Sequence, residues 1–207
     1  MASAVLPAEK PLYRQHRLEE FVEAMAAKTA TPGGGSAAAL AAAMAAGLEV
    51  MVIQFSLKKA SPVQLKKLEF FWGETQLLRQ RLLQLVDEDS AAYEKLRQAY
   101  KSQQGVQEAT AVAAAVPLET AQLAMKVLSF GRDLLTIGNP NLLSDVGVAA
   151  SLAFAAVQGA CMNVSINVTS LEDKRAKAKF SRQTKDLIQK SRVTTIPLLS
   201  IIHRRMI

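Results

Sequence analysis

The sequence holds one cysteine, two histidines and few aromatic residues: Cys161, His16, His203, and 5% Phe, Trp and Tyr in 207 residues. A single cysteine excludes an intrachain disulfide and fits a reducing compartment. The two histidines sit near opposite ends and no His/Cys cluster has metal-ligand spacing, so no metal site is expected. No stretch alternates with period two, which argues against a sandwich or barrel. No repeat of 20–50 residues is visible. The opening residues, MASAVLPAEK, lack a charged-then-apolar signal pattern, so a cytoplasmic protein is expected.

What is present is alanine and leucine. Half the residues are hydrophobic and 21% are charged. That composition predicts an all-α protein, a multihelical up-and-down bundle whose helices pack through small residues. The length suits one domain over residues 1–207, with 1–17 as a flexible N-terminal arm. Two segments are apolar enough to test as membrane spans. Ala37–Ile53 is mostly alanine and is interrupted by Glu49. Val146–Val168 is uncharged but carries Gln158, Asn163, Ser165 and Asn167 and has no flanking Trp or Tyr. Buried bundle helices explain both better, so no membrane partner is expected.

The net charge of +7 is concentrated at the C-terminus. Ten Lys or Arg stand against three acids from Glu172 onward. Such a segment suits an anionic ligand, a nucleic acid or simply a solvated helix face. Phe180 alone interleaves an aromatic ring among these charges, which argues against nucleic acid.

Helical spacing of Leu18, Phe21, Val22 and Met25 predicts a first helix ending before Thr29. A second runs from about Ser36 to Leu57. Ser61-Pro62-Val63-Gln64 is a capping box opening a long helix toward Gly105, with Leu68, Leu78, Leu82, Val86 and Leu96 on one side. The next helix is expected to kink or restart at Pro117. IGNPNLL, Ile137–Leu143, reads as a loop, after which Ser144 or Asp145 caps another helix. A last, basic helix is expected to bend near Pro197.

Pro32 and Gly33–Gly35 stand directly before an alanine-rich helix. Three glycines are costly to order, so close packing or a ligand must offset that cost. Successive backbone N–H groups leading into a helix N-terminus make a cradle for an anion or a polar ring edge. The small stripe Gly35, Ala39, Ala43 and Gly47 supports packing, so both readings stay open. A second stripe, Gly147, Ser151, Ala155 and Gly159, continues into Asn163 and Asn167. These two small-faced helices can meet each other or join two copies. Val86, Asp89, Tyr93 and Leu96 fall on one helix face, which places Asp89 on an apolar stripe. Burial there raises a carboxyl pKa and fits it for proton transfer near neutrality; an edge position in solvent is the alternative. Glu49, one step from an apolar face, raises the same question.

Six motifs then occur in register: TPGGGSAAA at Thr31–Ala39, MV at Met51-Val52, VDEDSAAY at Val86–Tyr93, VPL at Val116–Leu118, GNPNLLSDVGVAA at Gly138–Ala150, and NVSIN at Asn163–Asn167. Together they resemble the formiminotransferase-cyclodeaminase family, specifically its cyclodeaminase domain and the stand-alone methenyltetrahydrofolate cyclohydrolases. The likeness runs from about Leu18 to the C-terminus. It implies an all-helical homodimer with a folate cleft near the dimer contact and no permanently bound cofactor. The implied substrate is a tetrahydrofolate derivative, possibly polyglutamylated. The implied reaction is either loss of ammonia from 5-formiminotetrahydrofolate with ring closure, or hydrolysis of 5,10-methenyltetrahydrofolate. By the same likeness Asp89 is the catalytic carboxylate. Gly33, Gly34, Gly35, Ser36, Asn139, Asn141, Ser144 and Asp145 belong to the site, and Lys58 stands where relatives carry a basic residue.

Asn163 and Asn167 have side chains suited to a pterin edge or to each other. The methenyl group is an amidinium-like cation, which a carboxylate can stabilise while it deprotonates an attacking water. Two departures from the family pattern stand out. Tyr100–Val116 is shorter than the usual connection and lacks its Arg and Pro-Lys, so a more open cleft or a different ligand is expected. SLKKASP lacks the usual glycine. Two other classes fit the composition: a non-catalytic helical binding module of the same fold, and a basic nucleic-acid-binding bundle.

Overall fold

The computed structural model describes residues 12–207. Six α-helices account for nearly all of them: α1 (Leu18–Ala26), α2 (Gly34–Leu57), α3 (Pro62–Ser102), α4 (Val106–Ile137), α5 (Leu143–Thr169) and α6 (Lys174–Met206). Short 3-10 turns cover Tyr13–Gln15 and Pro140–Leu142, and no strand occurs among the described residues. Of the arm expected over 1–17, the first eleven residues lie outside the described ones. The rest packs on the bundle: Arg14 pairs with Asp87 at 3.4 Å, and the Tyr13 hydroxyl lies 3.4 Å from Thr31 Oγ1.

Helix α4 packs against α2, α3, α5 and α6, which lie around it in the order α3, α2, α5, α6. Neighbours run antiparallel. Ser36 stands beside Asp89 and Gly47 beside Arg79, so α2 and α3 are opposed. A Cβ on Gly159 would touch Ala38 at 3.6 Å, and Gln158 donates to Ser191 Oγ at 2.9 Å, which fixes α5 against α2 and α6. Small residues at these crossings let the helices approach closely, so dispersion contacts between backbones supply much of the packing. Ala39, Ala42, Ala45 and Ala46 of α2 are fully buried, with Leu82, Leu85 and Leu128 as the larger core side chains. Truncating one of those leucines to alanine costs about 2–5 kcal/mol.

Local signals hold at several ends. Ser61 caps α3 and Gln64 returns a bond to the Ser61 N–H, closing the expected box. The α3–α4 turn places Gln103 and Gly105 in the left-handed region, at φ 56° and 62°.

Elsewhere packing overrides the local reading. Pro117 neither stops nor restarts α4, because its ring is buried in a helix held on several sides. Leu142, not Ser144 or Asp145, is the N-cap of α5; Asn139 instead accepts the Asn141 N–H at 3.0 Å, capping the 3-10 turn in front. Asp145 sits in the first turn of α5, where the helix dipole favours its charge. In α1 only Phe21 is buried, while Leu18, Val22 and Met25 are exposed. Helices α2, α4 and the stretch Pro140–Thr169 are long and apolar enough to cross a membrane, with 61%, 50% and 39% of their most apolar windows buried in the chain.

Candidate active site

One end of the bundle gathers the start of α2, the second half of α3, the start of α4 and the end of α5. Between them lies a cavity of about 280 Å³, lined by Thr31, Gly33, Gly34, Gly35, Asp89, Tyr93, Ala113, Asn163, Ile166 and Asn167 among others. The structure therefore brings together the glycine turn, Asp89 and the two asparagines.

Asp89 closes the floor. Its Oδ2 accepts from the Ser36 hydroxyl at 3.1 Å, and the carboxylate also accepts the Ser36 backbone N–H. Ser36 is fully buried and lies within hydrogen-bond distance of Val86 O at 2.8 Å and Ser90 Oγ at 3.1 Å. Gly33, the N-cap of α2, has no side chain to satisfy the first turn. Asp89 takes that part from the neighbouring helix, as an acceptor supplied in trans. Burial raises the Asp89 pKa above the usual carboxylate range, and the two Ser36 bonds pull it back down. The outcome is a carboxyl group that holds its proton more tightly than an ordinary carboxylate.

The glycines follow from this contact. A Cβ on Gly35 would overlap Asp89 Oδ1 and stand only 2.6 Å from Oδ2. At Gly34 a Cβ would meet the Asn163 amide at 3.4 Å. Close approach accounts for Gly35, in the cleft wall itself; Gly33 and Gly34 stand at ordinary contact distances, so their backbone exposure to the cleft is the reading left for them. The N–H groups of Gly34 and Gly35, in the first turn of α2, have no intrahelical acceptor.

The asparagines are fixed by single bonds. Asn163 Nδ2 donates to Gly159 O at 2.9 Å, and Asn167 Nδ2 donates to Ala113 O at 2.6 Å. Each retains a carbonyl oxygen and a second N–H for a ligand. Tyr93, one turn beyond Asp89, forms the exposed rim, a planar surface that the sequence reading placed on the apolar stripe without giving it a role. Its spacing from Asp89 was the available signal.

The remaining expected residues lie elsewhere. Ser56 Oγ accepts the Asn139 N–H at 2.8 Å, so the Gly138–Asp145 turn sits by the C-terminal end of α2. That helix runs from Gly34 to Leu57, about 36 Å. Asn139, Asn141 and the neighbouring Lys59 line a separate polar cavity of about 370 Å³. Lys58 is exposed at the same end, and Ser144 and Asp145 lie in the first turn of α5. Within one chain the site foreseen from the sequence falls into two halves. Glu49, which the sequence left ambiguous, is 1% exposed with Oε2 unpartnered, and burial holds its pKa well above the ordinary carboxylate value. Among the described residues no group of three His, Cys, Asp or Glu is arranged to hold a metal ion.

These features define an all-helical bundle with a cleft at one end built around one half-buried carboxyl group. A family model described as formiminotransferase-cyclodeaminase matches residues 17–186, and the chain belongs to that family. It is 30% identical over 169 residues to a methenyltetrahydrofolate cyclohydrolase of Methylorubrum extorquens, covering 76% of this chain and 81% of that one. It is 31% identical over 200 residues to formimidoyltransferase-cyclodeaminase of Gallus gallus, covering 91% of this chain but only 37% of the relative's length. The crystal structure of formiminotetrahydrofolate cyclodeaminase from Thermotoga maritima superposes with a TM-score of 0.80 at 28% identity, covering 92% of this chain and 96% of that one.

Proposed function

We propose that this chain is an enzyme acting on the one-carbon unit of a tetrahydrofolate, with Asp89 as its proton-handling group. The observation that carries the reading is the position of Asp89, partly desolvated in a cleft whose other lining is uncharged: the glycine turn, two asparagine amides, the Tyr93 ring and the small or apolar Thr31, Ala113 and Ile166. Support from outside the chain comes from relatives whose names pair the same fold with methenyl and formimino folates.

In the hydrolytic direction the ionised carboxylate faces the cationic methenyl carbon and lowers the energy of positive charge there. Water attacks that carbon while Asp89 takes its proton. The C–N5 bond then breaks, the proton passes from Asp89 to N5, and the hydroxyl on the former methenyl carbon loses its proton to solvent, leaving the formyl group on N10. In the deaminating direction N10 attacks the formimino carbon and its proton passes to the formimino nitrogen; protonated Asp89 then gives the second proton with which ammonia departs. Ser36 positions the carboxylate for both. Asn163 and Asn167 are assigned to the polar edge of the pterin, and Tyr93 to its face. The cations of α6, including Lys177 and Lys185 in a groove between α5 and α6, suit a polyglutamate tail. We also assign the protein to the cytoplasm, as a homodimer and as one domain.

The test offers the purified protein 5,10-methenyltetrahydrofolate and 5-formiminotetrahydrofolate in turn. Loss of methenyl absorbance above the buffer rate identifies the hydrolase, and release of ammonia with gain of that absorbance identifies the deaminase. Neither change, at protein concentrations that bind folate, sinks the catalytic reading and leaves a binding module.

A further inference from the structure

Gly35 and Ser36, at the start of α2, stand against Asp89 of α3. Helix α3 continues to Ser102, so about 20 Å of it runs on past the start of α2. On that stretch Tyr93, Leu96, Arg97, Tyr100 and Lys101 line a second cavity, of about 340 Å³. Tyr93 lines the Asp89 cavity as well, so the two adjoin at its ring. The Asp89 cavity alone, at about 280 Å³, falls short of the roughly 300–1,000 Å³ of pockets that enclose a whole small ligand. A ligand of folate size seated on Asp89 therefore extends beyond it.

The α3 surface past Tyr93 has a distinct chemistry. Leu96 is 8% exposed and Tyr100 is 52% exposed, an apolar base beside an open aromatic ring. Glu94 accepts from Arg97 Nε at 2.8 Å and from Nη2 at 2.6 Å, and neither bond uses Nη1. Lys101 makes no ion pair among the described residues. Tyr100 and Lys101 open the short connection that lacks the family's Arg and Pro-Lys. Gln103 and Gly105 turn the chain directly into α4 there, both with left-handed backbone. Aromatic rings and cations on one face suit a ligand that joins an aromatic ring to carboxylates. The groove between α5 and α6 differs, since Lys177 and Lys185 stand there with no aromatic ring.

We propose that this end of α3 holds the p-aminobenzoyl-glutamate half of the folate, with Tyr100 and Leu96 on the benzoyl ring and Arg97 and Lys101 on the glutamate carboxylates. The proposal rests on the folate reading of the Asp89 cleft. Arg97 and Lys101 begin about 12 and 18 Å past Asp89 along the helix axis, and their long side chains can reach back over part of that interval. Asp89 at one end of this face and the cations at the other then match the reacting carbon and the carboxylate end of one extended molecule. The cations of α6 are left for glutamates added beyond the first.

The test uses p-aminobenzoylglutamate, which carries neither pterin nor one-carbon unit, beside p-aminobenzoate, which lacks the glutamate. In calorimetric titrations the wild type should bind the first about tenfold more tightly than the second. Lys101→Glu should abolish that preference. Tyr100→Ala should weaken both probes, and Tyr100→Phe should retain them. Lys95→Glu makes the same change of charge at an exposed position of α3 outside this cavity, and it should bind as the wild type does. In turnover Lys101→Ala should raise KM about tenfold with kcat within about twofold, because the contact is made equally before and at the transition state. No binding of p-aminobenzoylglutamate by the wild type, or binding and KM indifferent to Tyr100 and Lys101, overturns the proposal even where folate turnover is normal. Turnover of neither folate, with p-aminobenzoylglutamate still held through Tyr100 and Lys101, removes the one-carbon reaction and leaves this subsite standing.

Discussion

Gly35 leaves the space that Asp89 fills. The Asp89 carboxylate lies where a Gly35 side chain would begin, and it accepts from both the backbone and the hydroxyl of the next residue, Ser36. One contact thus caps α2, half-buries the carboxyl group and holds it in the cleft wall. Stability and chemistry depend on the same few atoms, which makes their separation by substitution informative.

Gly35→Ala is expected to keep the fold and lose the reaction. Alanine favours the helix by about 1 kcal/mol over glycine, partly offsetting the cost of moving Asp89. A displacement of about 1 Å at the reacting group lowers kcat on the order of 100-fold. Steady-state kinetics beside a melting curve check this; unchanged kcat would mean that the Asp89 position is immaterial.

Ser36→Ala removes the bonds of the hydroxyl but leaves the backbone N–H. The hydroxyl favours the charged carboxylate, so its loss moves the Asp89 pKa further upward. In hydrolysis Asp89 works ionised, and the rise of kcat with pH should therefore shift to higher pH in the variant. A pH–rate profile with an unmoved acidic limb would remove Ser36 from the mechanism.

Tyr93→Ala should raise KM about tenfold with a smaller change in kcat. A ring stacked on a planar ligand contributes roughly 0.5–1.5 kcal/mol beyond its buried area. The exposed position of Tyr93 predicts little change in melting temperature.

Glu49→Gln should stabilise the protein at neutral pH. The folded pKa of Glu49 stands well above its ordinary value of 4.5, because burial penalises the charge. The folded state therefore keeps a proton that the unfolded chain gives up. Stability from this group is complete below about pH 4.5 and falls as pH rises toward the folded pKa. Glutamine does not titrate, so the two proteins should melt alike near pH 4, with the variant higher at pH 8. Each 1 kcal/mol appears as about 2–4 °C for a chain of this size.

Much of this architecture was legible because its determinants are local. The Ser61–Gln64 box, the small stripe of α2 and the apolar side of α3 each act within one helix and its nearest neighbour, whereas Ser151 and Ala155 of the α5 stripe are exposed. Pro117 does not restart α4, because the packing that tolerates it comes from other helices. The leucine and valine of α1 matched a helical period, yet the period says nothing about whether a partner covers that face. Asp89 was readable from its place on the α3 stripe, and its link to the glycines became physical only once Ser36 was seen to pin it. The separation of Asn139 and Asn141 from Asp89 was not legible, since motif order carries no distance along a helix as long as α2.

The most direct measurement is the turnover of Asp89→Asn on whichever of the two folates the wild type consumes, together with its folate affinity. Asparagine keeps an acceptor for Ser36 and almost the same volume, so capping and binding should persist. The account predicts a fall in kcat of about 100-fold or more, within the 10²–10⁴ range of general acid–base catalysis, at nearly unchanged affinity. A variant that turns over within a few-fold of wild type would contradict it, and the buried carboxyl would then be a helix cap and nothing more.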